Sequence, residues 1–215
     1  MALTLIHVTA AISNAVLVSI IQSVNEFSKR LDLPIPLPIT ASQVSEFKVN
    51  PIQGMIGGGL WLTNHYLFRY ENGFVTGFRS SDNIFYDEAY PIDILKYSGK
   101  DNMNTNEAIE LARGTLQKLG YDPKSLFADV PPFSVRGSFD TKDGHHIPYC
   151  EIRWDRNAKS EADRTNYAHL EFQINMEKKC VVGMSIASPK IWGQNPKIDI
   201  VPETEIEYKS RTTGK

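Results

Sequence analysis

Apolar residues recur near the start of the chain at Val8, Ile12, Val16, Ile20, Val24, Phe27 and Leu31. Steps of four and three place them on one stripe of a helix, so the spacing predicts a helix from about Thr9 to Leu31. The alternate prolines of Leu33-Pro34-Ile35-Pro36-Leu37-Pro38 stop it, because each fixes φ and together they favour extended polyproline II backbone. The pattern then changes to period two. Strands are predicted at Val44–Val49, Leu60–Tyr70 and Gly73–Ser80. Tyr66, Phe68 and Tyr70 alternate into a turn at Glu71-Asn72-Gly73, and Phe74-Val75-Thr76-Gly77-Phe78 returns. This is the pattern of a β-hairpin. Gly54, Gly57, Gly58 and Gly59 precede the middle strand, Leu60–Tyr70, and predict a bulge or a close approach of backbones.

The same pattern follows a second time. Asn104 and Glu107 have the spacing of a capping box, Ala108, Ala112, Leu116 and Leu119 form an apolar face, and Gly120 and Pro123 end the helix. Strands are predicted at Ile147–Trp154, Tyr167–Met176 and Cys180–Ser188. Phe172, Ile174 and Met176 alternate into a turn at Glu177-Lys178-Lys179, before Cys180-Val181-Val182-Gly183-Met184. Aligning Gly77 with Gly183 sets the two hairpins 106 positions apart. Residues 81–103 read as a linker, 122–143 as loop, 155–166 as an exposed hairpin loop, and the tail from Pro189 as an edge strand or a wrap over the other unit.

The expected architecture is therefore α+β, with two α-β-β-β units over residues 1–95 and 100–215, each a long helix on a three-strand antiparallel sheet. A competing arrangement joins all six strands in one continuous sheet backed by both helices. A helix followed by a three-strand meander resembles PepSY-like and cystatin-like units, and Asn104–Pro132, with its Glu-Ala-Ile-Glu-Leu-Ala core, looks like the opening helix of a PepSY-type unit. The chain also resembles a family of uncharacterised bacterial proteins through Asn14-Ala15-Val16-Leu17-Val18, Ile56-Gly57-Gly58-Gly59-Leu60-Trp61-Leu62-Thr63-Asn64 and Leu116-Gln117-Lys118-Leu119-Gly120-Tyr121-Asp122-Pro123. Neither resemblance carries a functional residue; the first implies an interaction or inhibitory role.

Charge narrows the partners. The chain has 215 residues and a net charge of −2. Residues 1–103 hold seven basic and nine acidic groups, and residues 104–215 hold sixteen of each. Neither part has the clustered Lys and Arg that counterion release from a phosphate backbone requires, so nucleic-acid binding is not expected. Leu3–Ile21 has thirteen apolar residues of nineteen, but it lacks a basic n-region and contains His7, Ser13, Asn14 and Ser19. The helical stripe also runs past Glu26 and Lys29, so it reads as a core-facing helix and neither a membrane span nor a complete signal peptide. Compartment stays open. Cys150 and Cys180 fall on the first and third strands of one unit, too far apart to bridge, and are expected as buried thiols.

No catalytic motif emerges. Gly183-Met184-Ser185-Ile186-Ala187 has the letters of a nucleophile elbow, but Ser185 lies in a predicted strand and not at a strand-to-helix turn. His145, His146, His169, Cys150 and Cys180 lack the compact ligand spacing of a zinc site. The glycine run lacks the Lys-Ser/Thr of a phosphate-binding loop. Neither cofactor nor metal is expected. The first hairpin is rich in aromatics, and its register Trp61, His65, Leu67, Arg69 presents an aromatic and cationic surface of the kind enriched at protein interfaces. The expected partner-binding residues are Trp61, His65 and Arg69, with Trp154 at a strand end beside the charged loop. The expected function is a non-catalytic protein-binding or inhibitory module. The alternatives are a small-molecule or lipid carrier with a pocket between helix and sheet, and an enzyme with no recognisable motif.

Overall fold

A computed structural model describes residues 5–7, 10–52, 55–83, 99–156, 168–188, 191 and 207–209. In chain order the elements are β1 (Leu5–His7), α1 (Ala10–Leu31), β2 (Val44–Ile52), β3 (Met55–Leu62), β4 (Leu67–Glu71) and β5 (Phe74–Arg79). Next come α2 (Thr105–Lys118), β6 (Ser134–Arg136), β7 (Phe139–Asp140), β8 (His146–Ile147), β9 (Tyr149–Arg156), β10 (Ala168–Asn175), β11 (Cys180–Ala187) and β12 (Glu207–Lys209).

Eight of these strands form one antiparallel sheet in the order β2-β3-β4-β5-β11-β10-β9-β6. This overturns the expected pair of separate helix-on-three-strand units. The physical reason lies at the two inner edges. β5 and β11, each the returning strand of a hairpin, pair with one another through Gly77–Ser185, Phe78–Met184 and Arg79–Gly183, so neither leaves its backbone groups unpaired at an edge. The sheet is continuous, as in the competing arrangement, with eight strands in place of six. β1 pairs with β12, and β7 with β8, as separate two-stranded ribbons. The expected linker lies largely outside the described residues, as do 157–166 of the hairpin loop, Tyr167 of the strand after it and most of the tail.

The hairpins follow local chemistry. Asn72 and Gly73 both have positive φ, at 48° and 81°, as the tight hairpin turn matching strand twist demands. The predicted strand Leu60–Tyr70 is interrupted between β3 and β4 by a turn at Thr63–Tyr66, where His65 N–H donates to Leu62 O. The segment 122–143, read as loop, contains β6 and β7. Both hairpins share a bulge: Arg69 faces Gly77 but Tyr70 faces Val75, and Gln173 faces Gly183 but Ile174 faces Val181.

Both helices cover one face of the sheet, α1 over β5 and α2 over β9 and β11, and they touch each other. Val16, Ile20, Val24 and Phe27 of the α1 stripe are buried against Phe68 and Phe78, with Phe27 edge-on to both rings. In α2 the buried face is Ala108, Ala112, Thr115 and Leu116. Its capping box forms, with Glu107 N–H donating to Asn104 Oδ1 and Asn104 N–H to Glu107 Oε2. At its other end Gly120 adopts positive φ, Tyr121 N–H reaches back to Leu116 O and Gly120 N–H to Gln117 O, which satisfies the last-turn carbonyls. Arg30 of α1 adds a 2.7 Å hydrogen bond to Leu119 O, so one helix caps the other. No helix among the described residues is long and apolar enough to cross a membrane.

The glycine run makes a close backbone approach. A side chain at Gly58 would overlap the Lys48 carbonyl. Tyr70 uses that space: its hydroxyl donates to Lys48 O at 2.8 Å. Cys150 and Cys180 are free thiols on β9 and β11 with β10 between them, and burial pushes the Cys150 thiol up to about 11.

Candidate functional site

Strand alternation sends one register of each strand toward the helices and the other to the opposite face. On β10, Leu170, Phe172 and Ile174 are fully buried, so His169, Glu171 and Gln173 point away from the helices. The corresponding positions are Leu67 and Arg69 on β4, Gly77 and Arg79 on β5, and Gly183 and Ser185 on β11. Pairing of β5 with β11 sets these side by side. One row runs Arg69, Gly77, Ser185, Glu171, Arg153, and the next Leu67, Arg79, Gly183, Gln173, Glu151. The middle of both rows passes over a glycine, and a hollow of about 150 Å³ opens there, lined by Leu67, Arg69, Arg79, His169, Glu171, Gln173 and Ser185 among others. It straddles the seam, with its arginines from one half of the chain and its acid, imidazole and amide from the other.

The polar groups of the second half are tied to one another. Glu171 Oε2 accepts from Arg153 Nη2 at 2.9 Å, and Oε1 accepts from Gln173 Nε2 at 2.8 Å. Gln173 Oε1 in turn accepts from the buried Asn83 amide. His169 Nδ1 donates to Asp155, and its Nε2 stands 4.0 Å from Glu171. Hydrogen bonding to Glu171 raises the Arg153 pKa, keeping the guanidinium charged. A side chain at Gly183 would meet the amide ends of both Gln173 and Asn83, so the glycine lets that pair hydrogen-bond where it does. Arg69 is exposed and has no hydrogen bond or ion pair with a described residue.

Two of the four sequence-expected site residues lie on this face. Trp61 pairs with Leu67 and is half-buried, its ring resting over Gly59 with Lys48 Nζ 4.8 Å from the ring centre. Arg69 stands beside it, across from Gly59. His65 does not join them: it sits exposed in the β3–β4 turn, because the strand expected to carry it is interrupted there. Trp154 is not partly bare, as its place beside a charged loop suggested. It is 3% exposed, edge-on to Phe172, and its indole N–H donates to Val130 O at 2.9 Å. Its alternation with Cys150 and Ile152, both fully buried, was the signal for a core position. Alternation on β10 likewise marked His169, Glu171 and Gln173 as one polar face, whereas no local signal joined them to Arg69 and Arg79.

A wider depression of about 550 Å³ lies at the start of α2, lined by Asp101, Asn104, Ser138 and Met176 among others. His146 stands near it between two carboxylates, 3.1 Å from Asp101 and 2.8 Å from Asp140. These hydrogen bonds raise its pKa, that to Asp140 most. Neither hollow lies between helices and sheet, where a carrier would hold its ligand. Among the described residues no group of three or more His, Cys, Asp and Glu side chains is arranged to hold a metal ion. No protein-family model, curated protein or solved structure matches the chain.

Proposed function

We propose that this chain is a non-catalytic protein-binding module that engages its partner with the sheet face opposite the helices. The observation that carries the reading is that Leu67, Arg69 and Arg79 line one shallow hollow on that face, with Trp61 beside them as the strand partner of Leu67. Aromatic and arginine side chains supply most of the energy at protein interfaces, since they bring large contact area and directional hydrogen bonds together. The shared bulges and the seam symmetric about Phe78 and Met184 support reading the two halves as copies of one ancestral unit, whose joining creates the face.

The test uses affinity-tagged full-length protein in cells of its source. A partner captured by the wild type is expected to be lost by a Trp61→Ala, Arg69→Ala double variant whose circular dichroism is unchanged. Equal capture by that variant would overturn the assignment of this face.

A further inference from the structure

We propose that the hollow at the β5–β11 seam captures the free carboxylate at the C-terminus of a partner polypeptide, held by Arg69 and Arg79; this rests on the protein-binding reading above. Arg69 lies opposite Gly77, two residues from Arg79 on the neighbouring strand. Diagonal neighbours of that kind are about 7–8 Å apart, within reach of long side chains, and both residues line the same hollow. The guanidinium fork matches the planar geometry of a carboxylate and can donate two parallel hydrogen bonds to it.

The opposite wall sets the ligand's charge. Glu171 is already engaged by Arg153 and Gln173, and His169 by Asp155. With Glu171 matched by Arg153, the exposed Arg69, which has no ion pair with a described residue, leaves positive charge on the lining that suits a carboxylate. A phosphate dianion would bring a second negative charge toward Glu171.

Size sets its source. Enclosed small-molecule sites usually span about 300–1,000 Å³, and this hollow has about 150 Å³, room for the tip of a longer chain. Leu67 lines it, and Trp61 pairs with Leu67, so an apolar terminal side chain finds apolar surface beside the arginines. Terminal-carboxylate capture is an established way of recognising a peptide end.

The experiment is amide NMR titration of the full chain with acetyl-Gly-Gly-Leu bearing a free carboxylate, and in parallel with its carboxamide, acetate and inorganic phosphate. The free acid is expected to shift the amides of Arg69, Gly77, Arg79 and Ser185, with the carboxamide at least about tenfold weaker, the size of a lost hydrogen bond to a charged group. Arg69→Gln and Arg79→Gln should each weaken the free acid by about tenfold, and Arg136→Gln on the far edge should leave it unchanged. Spectral dispersion in the same experiment shows that each variant is folded. Equal binding of the carboxamide, unchanged binding by folded arginine variants, or no binding of the free acid at tens of millimolar would overturn the proposal. So would acetate binding as tightly as the tripeptide, which assigns the site to a small acid, or phosphate binding more tightly. A partner whose capture needs Trp61 and Arg69, found alongside no tripeptide binding, would leave the protein-binding reading standing and remove this one.

Discussion

Trp154→Ala is expected to lower stability by about 3–5 kcal/mol, the usual cost of deleting a core aromatic, which adds an unfilled cavity to the lost transfer energy. Trp154 is 3% exposed and contacts Phe172 edge-on with ring centres 6.1 Å apart, so little of its loss can be relieved by solvent. Its hydrogen bond to Val130 O adds less, about 1 kcal/mol, because Val130 is exposed and water can replace the donor. Trp154→Phe keeps an aromatic ring for Phe172 to pack against and should cost about 1–2 kcal/mol, from the lost hydrogen bond and the smaller ring. Trp61→Ala is the matched comparison. Its ring is half-buried, resting on Gly59 with Lys48 beside it, and its removal should cost about 1 kcal/mol, in line with a partly exposed side chain. Urea unfolding followed by far-ultraviolet circular dichroism at fixed m-value measures all three. A Trp154→Ala cost below about 2 kcal/mol, or a Trp61→Ala cost in the core range of about 3 kcal/mol or more, would refute the placement of these tryptophans.

Gly58→Ala should destabilise by about 1–3 kcal/mol or more, since its Cβ overlaps the Lys48 carbonyl in a packed layer that cannot yield. Gly114→Ala, at a helical position with nothing within 4 Å of the added Cβ, should instead stabilise by about 0.5–1 kcal/mol; thermal unfolding of the two would show opposite signs. The raised pKa of His146 between Asp140 and Asp101 means that the folded state holds its proton more tightly than the unfolded chain. Its contribution to stability is full below the unfolded pKa of about 6.5 and is lost as pH rises through the higher folded value. NMR titration of the imidazole should locate that higher midpoint, and His146→Asn should remove the matching fall in stability with rising pH; a midpoint at or below 6.5 would contradict it.

What the sequence reveals here is what adjacent residues decide. The α1 stripe from Val16 to Phe27, the Asn104–Glu107 box, the Gly120 stop and the Asn72-Gly73 turn each depend on contacts within a few positions, and all are found, while the side chains of Val8 and Ile12 lie outside the described residues. The union of β5 with β11 joins positions about a hundred residues apart, and neither strand's alternation names its neighbour beyond its own hairpin. The site inherits that limit. Arg69 and Trp61 were visible as one register of the first hairpin. Arg79 belongs to the same hairpin, across from Leu67, whereas His169, Glu171, Gln173 and Ser185 join them only through the seam. The misplacements of His65 and Trp154 have a different origin, because Thr63-Asn64 is a turn signal and the Cys150–Ile152–Trp154 register was present in the sequence.

The seam is therefore the claim on which the site depends, and interstrand proton contacts measure it directly. Ser80 N–H donates to Val182 O, which makes Gly77–Ser185 and Arg79–Gly183 the non-hydrogen-bonded pairs of the β5–β11 ladder, with Cα atoms about 4.5 Å apart. Strong nuclear Overhauser contacts between the α-protons of those two pairs are the predicted result. Their absence, with α-proton contacts intact inside each hairpin, would mean two separate sheets and no shared hollow.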